Sequence, residues 1–136
     1  MKIQINDQNF ILHQSGALFW EEQKMLLISD VHLGKVAHFR KHGMAIPERA
    51  ILENFVKLNS VLDLFEAETI VFLGDLFHST INNEWDLFAE WINSVFQKVI
   101  LVEGNHDIIS KQNYADLNIE VVNELKIDGF LLTHHP

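Results

Sequence analysis

At 136 residues, 48% hydrophobic and 21% charged, the chain is long enough for one globular core and too apolar for a disordered segment. No apolar run approaches the roughly 20 residues of a membrane span, Met1–Ile5 has no signal-peptide character, and with no Cys there is neither a disulfide framework nor a thiolate metal site, so a cytoplasmic protein off the membrane is expected. A formal net charge of −9 argues against a generally basic nucleic-acid surface, although Lys35, Arg40, Lys41 and Arg49 are opposed locally only by Glu48.

In chain order, Ile3-Gln4-Ile5 and Phe10-Ile11-Leu12 flank Asn6-Asp7-Gln8-Asn9 and predict a hairpin. Leu18-Phe19-Trp20 predicts a third short strand after a Ser15-Gly16 turn, and the apolar run Lys24–Ile28 a strand buried on both faces. Pro47 opens a helical pattern whose stripe is Ile51, Leu52, Phe55, Leu58, Val61, Leu62 and Phe65. After a strand at Thr69–Leu73, Asn83 caps a second helix with Asp86 in its first turn and the stripe Trp85, Phe88, Trp91, Ile92, Val95 and Phe96. A strand at Lys98–Val102 and a short helix or irregular turn at Ile108–Asp116 follow. Three closely spaced strands end the chain: Ile119–Val122, Leu125–Ile127 and Phe130–Thr133, with Asp128-Gly129 as a hairpin turn. The β-α-β-α-β middle favours a parallel sheet, and residues 1–136 read as one domain.

Chemistry-bearing residues gather where these strands end. Ser29-Asp30-Val31-His32, Gly74-Asp75-Leu76-Phe77-His78 and Gly104-Asn105-His106-Asp107 each follow an apolar strand, and Thr133-His134-His135-Pro136 follows a fourth. Singly, each has an ordinary structural reading: a cap with a satisfied histidine, a Gly-Asp turn, a left-handed turn at Gly-Asn. Together they converge, because ligands of open α/β sheets sit beyond the carboxyl ends of the strands. Carboxylate oxygen with imidazole nitrogen suits first-row metals such as Mn²⁺, Fe²⁺ or Zn²⁺ better than Ca²⁺. Two ions about 3.5–4 Å apart would clamp a phosphoryl group and lower the pKa of a shared water, which as hydroxide attacks phosphorus in line.

Asp30-x-His32, Gly74-Asp75, Gly104-Asn105-His106-Asp107 and His134 resemble the first four motifs of the calcineurin-like metallophosphoesterase superfamily. Residues 29–40, Ile46-Pro47 and the stretch from Gly74 to Ser79 resemble one subgroup, the bacterial DNA-ligase-associated metallophosphoesterases. The resemblance implies an α/β fold of two β-sheets packed face to face, with helices outside in an αββα arrangement. It also implies two divalent ions, Mn²⁺ first and Fe²⁺, Zn²⁺ or Ni²⁺ as alternatives. By its pattern Asp30 and His32 hold one ion, Asn105 and His134 the other, and Asp75 bridges them. His106 stands near substrate as general acid or transition-state stabiliser, oriented by Asp107. His134 is chosen over His135 because in related His-x-Pro motifs the histidine two before proline is the ligand. The family's fifth motif, Gly-His-x-His, is not in the chain, so a C-terminally truncated fold, three ligands per ion and an exposed sheet edge prone to self-association are expected.

The implied substrate is a phosphodiester, in DNA for this subgroup, with a functional tie to a DNA ligase and a helicase in repair. Lys35, His38, Arg40, His78 and His135 are the candidate substrate contacts; Arg40 suits bidentate phosphate binding, against a solvated helix face as the plain alternative. Trp85, Phe88, Trp91 and Phe96 have helical spacing and are expected to pack the core rather than stack on bases. Two rival functions remain at this point: a small-nucleotide phosphodiesterase, and a catalytically silent fragment that binds metal or a partner.

Overall fold

The computed structural model of the chain describes residues 1–29, 49–74, 76, 83–103 and 109–134. Seven strands form one sheet in sequence order: β1 (Lys2–Ile5), β2 (Gln8–Leu12), β3 (Leu18–Trp20), β4 (Met25–Ser29), β5 (Thr69–Leu73), β6 (Lys98–Val102) and β7 (Ile119–Val122). The pairings from β1 to β4 are antiparallel and those from β4 to β7 parallel. Parallel neighbours need crossovers, and helices supply them: α1 (Arg49–Phe65) before β5, α2 (Asn83–Ser94) before β6 and the short α3 (Lys111–Ala115) before β7. A separate antiparallel pair, β8 (Leu125–Ile127) and β9 (Phe130–Leu132), completes the described strands.

The first hairpin turn is tighter than its run of four polar residues implies, and the second is the expected Asp128-Gly129 turn. Ile5 pairs with Gln8, which leaves only Asn6 and Asp7 in the turn, at φ +50° and +64°. Ile127 pairs with Phe130 across Asp128 and Gly129, at φ +47° and +83°. Two successive residues at positive φ match the twist of the strands they join, and Asn, Asp and Gly adopt that conformation most readily.

Side-chain alternation splits the core in two. Leu26, Ile28, Ile70, Phe72, Val99 and Leu101 face the helices, meeting Phe55, Val61 and Leu62 of α1 and Phe88, Trp91 and Ile92 of α2. Met25, Leu27, Val71, Ile100 and Val102 face the other way, with Phe10 and Trp20, and are covered by Leu125, Ile127, Phe130 and Leu132 of the β8–β9 pair. The Phe130 ring lies 5.3 Å from that of Phe10 and 5.1 Å from that of Trp20. The small sheet therefore stacks on the large one, with helices beyond the large sheet's far face. The central strands are continuous apolar runs because both of their faces are covered.

Several expectations shift. The helical stripes are narrower than their spacing implies: Leu52 is 45% exposed, at the rim of α1, and Phe96 is 83% exposed because α2 ends at Ser94 and the period ends with it. Phe96 is thus not a core residue. The strand expected from Lys24 begins at Met25, since Lys24 sits in a turn at φ +49°. The three closely spaced strands at the C-terminal end divide between sheets: β7 joins the large sheet beside β6, and β8 and β9 pair with each other across the expected Asp128-Gly129 turn. Pro47, the side chain of Ile51 and the capping side chain of Asn83 lie outside the described residues. Among those described, no helix is long and apolar enough to cross a membrane.

The contrast between two phenylalanines tests this packing. Phe88→Ala, which empties a wholly buried position, is expected to lower the free energy of unfolding in urea by about 3–5 kcal/mol. Phe96→Ala is expected to change it by no more than about 0.5 kcal/mol.

Candidate metal centre

The sheet brings the strand ends that precede three of the chemistry-bearing segments to one line. Ser29 pairs with Leu73, Leu73 with Val102, and Val102 with Val122, so β4 to β7 reach their C-terminal ends in a single register row. Asp30 directly follows Ser29, Gly74-Asp75 follow Leu73, and Gly104-Asn105 come just after Glu103. Neighbouring strands lie about 4.8 Å apart, so the points where the three clusters begin span about 10 Å. The local reason is polarity: each apolar run is covered on both faces as far as this row, and the first charged residues appear where that cover stops.

His134 is the one assigned ligand among the described residues, and its placement is specific. Its Nδ1 lies 3.0 Å from the carbonyl oxygen of Leu73, the last residue of β5. A carbonyl only accepts, so Nδ1 carries the proton and Nε2 is the nitrogen with the lone pair in the neutral ring. An imidazole oriented through one nitrogen by a backbone carbonyl, with the other nitrogen basic, is the usual state of a metal-binding histidine. The ring rests on Gly74, which sits at φ +74°; a Cβ there would fall 2.8 Å from Cε1 of His134 and closer still to Nδ1 and Cγ. Glycine is required at this position twice, by backbone conformation and by the ring above it. The small sheet delivers that ring, since His134 lies just beyond β9.

Packed residues flank Asp75 and the 104–108 segment in sequence. Leu73 and the wholly buried Leu76 stand on either side of Asp75 in sequence, and the buried Val102 and Ile109 on either side of residues 104–108. The Glu103 N–H donates to Val122 at 2.9 Å, extending the β6–β7 pairing by one step, and the Glu103 carboxylate lies 3.6 Å from Lys111 Nζ. Asp30, His32, Lys35, His38, Arg40, Asp75, His78, Asn105, His106, Asp107 and His135 themselves lie outside the described residues. Among those described, no three His, Asp or Glu side chains gather as a metal cluster. His134 is therefore the described donor of the expected set, and an imidazole held with Nε2 basic fits a first-row divalent ion.

Two features near this edge were not anticipated. Glu84 is wholly buried in the first turn of α2, where the helix N-terminus favours a carboxylate. Its neighbour Trp85 packs edge-on against Tyr114 of α3 at 5.3 Å, which ties the helix after the second cluster to the helix after the third. A glutamate in a first turn ordinarily faces water, so its spacing carried no signal of burial. The Leu73 carbonyl is a backbone partner that no side-chain pattern marks.

Residues 23–136 match the family model for calcineurin-like phosphoesterases. Among solved structures, the chain is similar to the Pseudomonas putida nuclease MPE, with a TM-score of 0.83 and 27% sequence identity over 100% of this chain and 66% of that one. It also shares its fold with AQ665 of Aquifex aeolicus, a protein of unknown function, with a TM-score of 0.56 and 22% identity over 82% of this chain and 60% of that one. The chain thus spans just under two thirds of the nuclease's length. Comparison with curated protein sequences gives no match.

Gly74→Ala tests the seat of His134. The parent imidazole should show ¹⁵N shifts of a ring protonated at Nδ1 at alkaline pH. In the variant that signature should be lost, with about 1–3 kcal/mol of stability lost alongside it; unchanged shifts would contradict the close approach.

Proposed function

The chain belongs to the calcineurin-like phosphoesterase family, and from that premise we propose that it is a metal-dependent phosphodiesterase that cleaves DNA with a pair of divalent ions. The observation that carries this reading is the single edge at which β4, β5 and β6 end, with the His134 ring seated over Gly74 beside it. Members of this family are hydrolases and generally use divalent metal ions. In this reading Asp30 and His32 hold one ion, Asn105 and His134 the other, and Asp75 serves both, with Mn²⁺ as the first candidate. When bound, such ions polarise a phosphoryl oxygen and acidify water enough for nucleophilic attack near neutral pH.

The chain's own residues would do the rest. The Nδ1–H bond to Leu73 fixes the ring plane of His134 and keeps Nε2 basic. His106 supplies a proton to the departing oxygen, and Asp107 sets its tautomer. Arg40 and Lys35, with His38, His78 and His135, take up the charge of the phosphodiester; Arg40 offers a fork and Lys35 a point charge.

A nucleic-acid substrate is supported by the likeness to the Pseudomonas putida nuclease, and DNA in particular by the resemblance of residues 29–40 to the DNA-ligase-associated subgroup. The same reading places the protein in the cytoplasm, working alongside a DNA ligase and a helicase. A second reading, a small-nucleotide phosphodiesterase, is favoured by the net charge of −9. Salt separates the two, because polynucleotide binding weakens steeply with ionic strength through counterion release.

Hydrolysis of bis-p-nitrophenyl phosphate with Mn²⁺ is the primary test: turnover that EDTA abolishes supports the reading, and none from the folded, Mn²⁺-loaded chain sinks it. Asp75→Asn is expected to lower bound metal, measured by mass spectrometry of the desalted protein, more than any other single ligand change. His106→Ala is expected to reduce kcat about 10²–10⁴-fold while metal content stays near the parent's; a parallel loss of metal would make His106 a ligand instead.

A further inference from the structure

A hollow of about 200 Å³ opens between α1 and the turn before β3, beside the C-terminal end of β4. Ile28 and Leu58 give it an apolar floor, and Ser15, Ser29, Asn54 and Lys57 line it with polar groups. Asn54, Lys57 and Leu58 fall on one face of α1 at i, i+3 and i+4. The Ser15 hydroxyl is held in place by the Ala17 N–H at 3.3 Å and by Nδ1 of His13 at 2.8 Å. Ser29 is the last residue of β4 and immediately precedes Asp30, so the hollow adjoins the edge from which the metal-binding clusters leave.

The electrostatics of this place differ from those of the chain as a whole. Acidic residues outnumber basic ones 19 to 10, yet no carboxylate is among the described residues that line the hollow. At the opposite end of the sheet, a hollow just before β5 is lined by Asp63, Glu66 and Glu68. Lys2, Lys24, Lys111 and Lys126 each lie 3.5–3.9 Å from a glutamate, whereas Lys57 at this hollow, like Lys98 at the far end of the sheet, pairs with no carboxylate among the described residues. An ammonium with no carboxylate partner among the described residues, an amide and two hydroxyls over an apolar floor suit one sugar-phosphate unit, and the hollow is too small for a duplex.

We propose that this hollow is a subsite for the nucleotide flanking the scissile bond of a single-stranded polynucleotide, with Lys57 and Asn54 on its phosphate and its sugar against Ile28 and Leu58. The proposal rests on the phosphodiesterase reading for its place beside the scissile bond. It adds the source of polynucleotide preference on an acidic protein: local charge at the edge of the site rather than a basic surface.

The test is binding of a fluorescein-labelled oligothymidylate by anisotropy, with Ca²⁺ in place of Mn²⁺, across a salt series. Lys57→Gln is expected to weaken binding about tenfold at low salt and to flatten the slope of log affinity against log salt by about 0.7, the loss of one phosphate contact on a single strand. Lys98→Gln makes the same charge change at the far end of β6 and is expected to leave both quantities unchanged. A parent that does not bind the oligonucleotide, a Lys57→Gln chain that matches the parent, or equal losses from the two variants would each overturn the proposal. Loss specific to Lys57→Gln, from a parent that turns over no bis-p-nitrophenyl phosphate, would uphold the subsite and bring down the phosphodiesterase reading instead.

Discussion

The contact between the His134 ring and Gly74 constrains everything around it. It is where the small sheet meets the edge of the large one, and it holds only if the residue after β5 has no Cβ and a left-handed backbone. The carbonyl of Leu73 then sets which ring nitrogen is basic. Nothing local to His134 determines this. The ring arrives because β8 and β9 turn tightly at Asp128-Gly129 and because Phe130 is wedged against Phe10 and Trp20, on strands distant in sequence. Hydrophobic stacking of the sheets thus becomes the orientation of one imidazole, and rigid elements hold such a group more closely than a free loop would.

The remaining chemistry is organised by a different economy. A parallel sheet with both faces covered favours near-continuous apolar runs in its central strands, so the carboxylates, amides and imidazoles of the motifs come after those strands stop. Because β4, β5 and β6 stop in one row, residues far apart in the chain begin their excursions as neighbours. Packed residues flank two of these segments in sequence, Leu73 and Leu76 around Asp75 and Val102 and Ile109 around residues 104–108, with Trp85 on Tyr114 linking the helices that follow.

Much of this was legible in the sequence, for identifiable reasons. The strands at Thr69–Leu73 and Lys98–Val102 have the bounds read from their apolar runs, because burial on both faces leaves an unbroken hydrophobic signature. The parallel order followed from the intervening helices. Sheet membership at the C-terminal end was not legible, since turn residues announce that strands are near in sequence without saying which sheet each joins; β7 went to one and β8–β9 to the other. Periodicity overreached at Phe96, where the helix stopped before the pattern did. At the site, residue types and their positions after strand ends were legible as a pattern, and of the assigned ligands His134 is the one among the described residues, while the second reason for Gly74 and the burial of Glu84 are tertiary facts with no local mark.

The central claim is that this edge holds two ions with His134 among their ligands. Mn²⁺ titration followed by electron paramagnetic resonance tests it most directly. The account predicts two ions per chain with the spectrum of an exchange-coupled pair, reduced to a single uncoupled ion in His134→Ala. One isolated ion in the parent, or a coupled pair that survives removal of His134, would contradict it.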